Sequence, residues 1–329
     1  MDLKGKNILF ISPEFFGIDH SIILELEERG ANVTWFDERS IKSSFGRALN
    51  SISSIFFLVH SYCYYKKRLE SIKHTVDVVL VIKGEMISDK IMKMIRGRWP
   101  SAHTILYLYD PVENINGIIN KIHLYDRVIS FEPVDCKKYN FEFRPLFCDF
   151  SNDNANDGAP NHEYDVCFYG TMYGDRFEVI YNIKNFCKEH RLNFYSFCFL
   201  RGKFMSIYYY FTNAGYRKLG LNSISYIPKT SVELMDIVKK TNIILDVNDR
   251  KQQGLTIRTL ETLLAGKKMI TTNKDILNYD FYNRNNICVI DRKNITIPIS
   301  FFDNEYENID KEILYKYSVK GWIDDVFGK

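Results

Sequence analysis

The sequence predicts an α/β protein made of two Rossmann-like domains, each a doubly wound parallel sheet, facing one another across a cleft. Short β-branched apolar runs such as DVVLVIK at 77–83 and HTILYLY at 103–109 alternate with segments of helical spacing. Strands that read as apolar on both faces belong to sheets covered by helices on both sides. A polar stretch rich in Asn, Asp, Gly and Pro, SNDNANDGAPNHE at 151–163, interrupts the alternation in mid-chain and reads as a linker. The full length, 329 residues, suits two domains of about 150 residues each.

In the first domain, residues 1–150, the apolar run at 7–12 is a strand, 13–19 a loop, and a helix runs to Arg29 with Gly30 as its stop. Strands follow at 32–37, 77–83, 103–109 and 126–131, with a helix from Ser88 to about Arg98. The first loop carries no G-x-G-x-x-G, so dinucleotide binding there is not supported. Residues 51–74 join an apolar, aromatic half to Lys66, Lys67 and Arg68. Such a helix either lies at a bilayer interface or packs in the core with a solvated basic end. The aromatic run 204–211 poses the same question.

The second domain, residues 164–316, begins with a strand at 164–169 and a loop to Asp175. A helix to about Glu189 comes next, then strands at 193–200 and 224–227. Its centre is NIILDVNDRKQQGLTIRTLETLLAGKKMITTN at 242–273: an apolar strand, a polar turn, a helix with Leu255, Leu260, Leu263 and Leu264 at helical spacing, and a second strand. This is one βαβ unit of a parallel sheet. A last strand lies at 286–290, and a closing helix, 317–329, is expected to cross back to the first domain.

Composition narrows the function. Apolar residues make up 46%, charged residues 26%, and the net charge is +3, too small to argue for nucleic acid. The high aromatic content, 15%, points to sticky surfaces or aromatic-lined clefts. Cys63, Cys136, Cys148, Cys167, Cys187, Cys198 and Cys288 stand singly with no C-x-x-C, the pattern of a reduced, cytoplasmic protein. The N-terminal apolar run is too short for a signal peptide, and no run reaches the length of a membrane span.

The helix starting near Thr256 offers free N–H groups and a positive dipole end at the carboxyl edge of its sheet, where an anion is the natural occupant. Arg258 and Glu261 share one face of it. Either they form a surface ion pair, or the first meets a phosphate and the second accepts from ribose hydroxyls. Further cations and small donors fall at strand ends: Gly170, Thr171 and Arg176, then Arg201 and Lys203, then Lys229, and the loop from Gly254. Arg201 and Lys203 also fit plain surface charges.

The string GLTIRTLETLLAGKKMITTN at 254–273 resembles the donor-nucleotide segment of GT-B glycosyltransferases, above all the bacterial CgeB-like and lipopolysaccharide or exopolysaccharide biosynthesis branch. DVCFYGTMYGDR at 165–176 is similar to the opening strand and loop of that fold's second domain, and YSVKGWIDDVF at 317–327 to its closing helix. The resemblance implies a hexosyltransferase-like enzyme that takes a nucleotide sugar and a glycan or lipid-linked glycan acceptor, with possible contact to the inner membrane surface. Gly170, Thr171, Arg176, Arg201, Lys229, Gly254, Thr256, Arg258 and Glu261 would hold the donor. No D-x-D ends a strand, so transfer without a metal or other cofactor is expected. An inverting enzyme needs a general base in the first domain, whereas a retaining one needs none and can use the donor phosphate. Asp110 is favoured because it follows a strand directly and Pro111 fixes the next turn. Glu14 and His20 are the reserves, and Asp110 also suits a helix or turn cap. A non-hydrolysing nucleotide-sugar epimerase and a catalytically idle nucleotide-binding scaffold remain as alternatives.

Overall fold

The computed structural model describes residues 1–14, 17–40, 54–148 and 162–328. The chain divides into two compact units, one of Met1–Asp149 with Lys316–Lys329 and one of Phe150–Tyr315. The linker expected at 151–163 falls, apart from its last two residues, outside the described residues.

The first unit runs β1 (Asn7–Ser12), α1 (Ile18–Glu28), β2 (Asn32–Asp37), α2 (Ser54–Ser71), β3 (Val78–Ile82), α3 (Asp89–Arg98), β4 (His103–Leu108), β5 (Arg127–Ser130), α4 (Pro133–Tyr139) and β6 (Glu142–Phe143). The strands form one sheet in the order β2-β1-β3-β4-β5-β6, every pair parallel. Alternate residues of β1, β3 and β4 enter opposite cores, as the two-residue period of a strand requires. Leu9, Val79 and Leu106 meet Tyr65 and Leu69 of α2 and Ile91 and Ile95 of α3. Ile8, Phe10, Leu80 and Tyr107 meet Ile22 and Leu26 of α1 and the C-terminal helix, Val319–Gly328, through Trp322, Ile323 and Val326. Trp322 is fully buried, with the Tyr107 ring edge-on at 4.9 Å.

From Val59 onward, α2 is a core helix. Tyr65, Leu69 and Ile72 are buried while Lys66, Lys67 and Arg68 face solvent. Residues 51–53 and the side chains of 54–58 lie outside the described residues. The Tyr64 and Tyr65 hydroxyls donate to the carbonyls of Asp37 and Glu38 at 2.9 Å, tying the helix to the end of β2.

The second unit runs β7 (Tyr164–Thr171), α5 (Arg176–Glu189), β8 (Phe194–Phe199), α6 (Lys203–Thr212), α7 (Ala214–Leu219), β9 (Ile224–Ser225), α8 (Ser231–Lys239), β10 (Thr241–Asp246), α9 (Ile257–Leu264), β11 (Lys268–Thr271) and β12 (Ile287–Val289). Its parallel sheet has the order β12-β11-β10-β7-β8-β9. Two sequence expectations shift here. Gly170 and Thr171 are the last residues of β7 rather than loop, because β8 continues alongside and pairs them with Cys198 and Phe199. The strand expected at 224–227 stops at Ser225, whose hydroxyl accepts from the N–H of Ile227 and turns the chain away. Lys229 therefore lies beyond the sheet, next to Thr230, the N-cap of α8.

In each sheet the chain winds outward in both directions from a central pair, β1 and β3 in the first and β7 and β10 in the second. Connections leave opposite faces at such a switch point and open a crevice at the carboxyl ends of the strands, where ligands of doubly wound sheets bind.

Candidate functional site

At the switch point of the second sheet, the chemistry comes from the ends of β7 and β10 and the start of α9. Asp246, the last residue of β10, is buried, and its carboxylate accepts from the hydroxyls of Thr256 at 2.9 Å, Thr259 at 2.8 Å and Thr271 at 3.3 Å. Thr256 in turn accepts from the Thr259 N–H at 3.2 Å as the N-cap of α9. One buried acid thus fixes the helix N-terminus against the sheet edge.

Arg258 lies over the Tyr169 ring, 3.2 Å from its centroid, donates to the Tyr169 carbonyl at 3.3 Å and pairs with Glu261. Burial alone would lower the pKa of this guanidinium, but Glu261 and Tyr169 raise it above its ordinary value. Both side chains are half-buried, so the pair is neither a solvated surface bridge nor an open arm. It is a charged clamp on the end of β7.

Arg176, the first residue of α5, donates to the Thr171 carbonyl at 2.8 Å and stacks on Tyr173, 4.1 Å from the ring centroid. Its Nε is buried without a hydrogen-bond partner, and no carboxylate forms an ion pair with it among the described residues. Burial lowers its pKa, and Tyr173 and Asp246 only partly offset this. A half-buried guanidinium with no carboxylate in ion-pair contact, although Asp246 and Asp249 are near enough to act on it, leaves room for an anion beside a helix N-terminus.

Next to this lies a cavity of about 640 Å³ at the ends of β10, β11 and β12, within the range of small-molecule sites. Asn248, Arg250, Asn273, Lys274 and Arg292 are among its lining residues. Arg292 donates to Asp175 at 3.0 Å and to the Asn248 side-chain oxygen at 2.6 Å, and Arg250 donates to Asp175 at 2.7 Å. Burial would raise the Asp175 carboxyl; Arg250 and Arg292 outweigh it and hold the group below the usual carboxylate range. Asn248 Nδ2 donates to the Gln252 carbonyl at 2.7 Å, and Asn273 Nδ2 to that of Gln253 at 3.0 Å. Side chains thus impose one shape on the loop between β10 and α9.

No protein-family model and no curated protein matches this sequence. Solved structures do match. An alpha-glucosyltransferase in complex with UDP and a 13-mer DNA aligns with a TM-score of 0.64 at 12% identity, over 98% of this chain and 99% of that one. The lipopolysaccharide outer core galactosyltransferase WaaB, in its apo form, aligns with a TM-score of 0.54 at 13% identity, over 98% and 99%. UDP-GlcNAc 2-epimerase from Neisseria meningitidis, bound to UDP-GlcNAc, gives 0.57 at 11% identity, over 98% and 100%. The chain has the GT-B fold.

Within this GT-B fold, Gly170, Thr171, Arg176, Arg258 and Glu261 come together around Tyr169 and Tyr173. Thr256 serves as the cap, and the Gly254 carbonyl accepts from Gln252 Nε2 at 2.9 Å. Arg201 and Lys203 are exposed, and Lys229 is half-buried, paired with Glu233 at 3.7 Å and lying over Phe197. Among the described residues no hydrogen bond or ion pair joins Arg201, Lys203 or Lys229 to the group. Sequence reasoning missed Asp246, Asp175, Asn248, Arg250 and Arg292. The polar LDVND ending of β10 was the available signal for Asp246 and Asn248.

At the carboxyl edge of the first sheet, Lys83 takes a left-handed backbone, φ 73°, and Gly84 follows at φ 70°. That turn sends the ammonium to Glu85 at 3.1 Å and Asp110 at 3.4 Å. Burial would lower its pKa; Asp110 and Glu85 raise it. Asp110 does not cap the next turn, since the Val112 N–H goes to Asp135 at 2.7 Å. Glu14 is exposed, its carbonyl accepting from Arg39 at 2.8 Å, and His20 is exposed on α1. Glu38 is buried, accepts from the Met86 N–H at 2.8 Å, and is pushed by burial up to about 8.

Proposed function

We propose that this chain is a glycosyltransferase of the CgeB-like and surface-polysaccharide branch, moving a hexose from a nucleotide-sugar donor to a growing lipopolysaccharide, capsule or exopolysaccharide chain. It works in the cytoplasm, on the inner face of the membrane, and without a metal. The observation that carries this reading is Arg176 at the switch point of the second sheet, with its Nε buried and unpartnered and no carboxylate in ion-pair contact among the described residues. A nucleoside diphosphate supplies the ion-pair partner that Arg176 lacks, and Arg258 and the α9 N-terminus meet its developing negative charge. Glu261, exchanging Arg258 for ligand, accepts from the ribose hydroxyls. The metal-free reading rests on these cations, which can neutralise the charge of the leaving group.

In the first unit Asp110, oriented by Lys83, is the general base. It takes the proton of an acceptor hydroxyl as that oxygen bonds to the anomeric carbon. The bond from that carbon to the phosphate oxygen breaks, and the nucleoside diphosphate leaves with its electron pair. No helix among the described residues is long and apolar enough to cross a membrane.

The likeness to a 2-epimerase keeps a second reading in view, because the same fold carries both chemistries. Nucleotide-sugar turnover measured with and without a glycan acceptor separates them. Nucleoside diphosphate released only with acceptor supports transfer, conversion of donor without acceptor supports epimerisation, and no turnover with any donor overturns both.

A further inference from the structure

Helix α6 carries its apolar stripe outward. Phe204, Ile207, Tyr208 and Phe211 fall at i, i+3, i+4 and i+7, the spacing of a single helix face. Such a stripe ordinarily enters a core. Here the inward positions belong to Ser206, which is buried, and to Tyr209, which packs on Phe177 at 4.9 Å between ring centroids. The stripe itself is exposed by 88%, 58%, 56% and 76%. Exposed apolar area concentrated on one helix marks an interaction surface.

The chain around it is basic, with Lys218 paired to Glu178 at 3.7 Å and Lys229 to Glu233 at 3.7 Å. Between Glu189 and Glu233 the sequence holds no Asp or Glu, but it holds Arg191, Arg201, Lys203, Arg217, Lys218 and Lys229. The whole chain has a net charge of only +3, so positive charge is concentrated in this segment. Lys203 opens α6 and Arg201 lies just before it, both exposed. Arg217, on α7, donates to the Tyr210 carbonyl at 2.8 Å and fixes a guanidinium at the other end. Aromatic and aliphatic side chains flanked by cations fit the boundary between acyl chains and anionic headgroups. At ten residues the helix is far too short to span a bilayer. A second copy fits poorly, since a two-fold contact would set these cations against themselves.

We propose that α6 seats this unit on an anionic lipid surface, with Phe204, Ile207, Tyr208 and Phe211 among the upper acyl chains and Arg201, Lys203 and Arg217 at the phosphates. The helix leaves the carboxyl edge of the sheet, the edge that also carries the switch point. A lipid-borne substrate would therefore be presented on the side where the cations gather. The proposal stands apart from the transferase reading, because vesicle binding needs no donor.

The test is co-sedimentation of the full chain with vesicles of phosphatidylcholine alone and of phosphatidylcholine with phosphatidylglycerol. Wild type, Phe204→Ser/Phe211→Ser and a control, Val134→Ser at an exposed position of α4, are compared, with circular dichroism confirming that each is folded. Binding to the anionic vesicles, weakened by high salt, at least about tenfold weaker in the double variant and unchanged in the control, is the expected result. Equal binding by the double variant, or none by wild type, overturns the proposal. So does self-association of wild type that the double variant abolishes, which would assign the stripe to a second copy.

Discussion

Replacing Glu38 by Gln should remove a pH dependence from the stability of the first unit. The carboxyl is fully buried, accepts the Met86 N–H, and has Tyr65, Lys83, Glu85, Lys121 and Tyr125 around it. Burial holds its pKa at about 8 against an ordinary 4.5. Between those values the native state keeps a proton that the unfolded chain has released, so stability is fully present below the lower value and is lost as pH rises through the upper one. The loss between pH 5 and pH 8 is then on the order of a few kcal/mol. Gln keeps an acceptor for Met86 and carries no charge, so the variant should lack this slope and exceed wild type most at alkaline pH. The assay is urea unfolding followed by tryptophan fluorescence at pH values from 5 to 9. Trp35, Trp99 and Trp322 all lie in the first unit, so the signal reports that unit alone. Parallel slopes in wild type and variant would refute the reasoning and mean that Glu38 is ionised in the folded state.

Asp246→Ala removes the acceptor of three threonine hydroxyls and should cost about 2–4 kcal/mol by denaturant melts, with loss of nucleotide binding as α9 loosens. Gly215→Ala should destabilise the second unit by about 1–3 kcal/mol in thermal melts, because an added Cβ would lie 2.7 Å from the Glu178 backbone nitrogen. Asp110→Asn should lower the rate of sugar transfer by about 10²-fold or more while leaving nucleotide affinity unchanged, as read by turnover and calorimetry side by side.

Most of the fold was legible because strands apolar on both faces have few other readings: VVLVI is wholly buried in β3. The misses have local causes. β6 is two residues long and shows no period. Gly170 and Thr171 resemble a turn by composition but continue β7 because β8 offers a partner. Arg258 and Glu261 could be placed on one helix face from their spacing alone, whereas the stacking of Arg258 on Tyr169 depends on β7 and α9 being neighbours. The ring of Asp175, Asn248, Arg250 and Arg292 was hidden for the same reason, since Asp175 and Arg292 stand 117 residues apart and nothing local marks either. The outward stripe of α6 shows its period in the sequence, but period alone does not say which face turns inward.

The central claim is that a nucleoside diphosphate supplies the ion-pair partner that Arg176 lacks. Calorimetric titration of wild type and Arg176→Ala with UDP, GDP, CDP, ADP and dTDP, each beside its nucleoside, tests it most directly. The account predicts that one diphosphate binds wild type and loses about tenfold or more in affinity in the variant, while the matching nucleoside binds both alike. Equal losses for diphosphate and nucleoside, or no diphosphate binding to wild type at all, would contradict it.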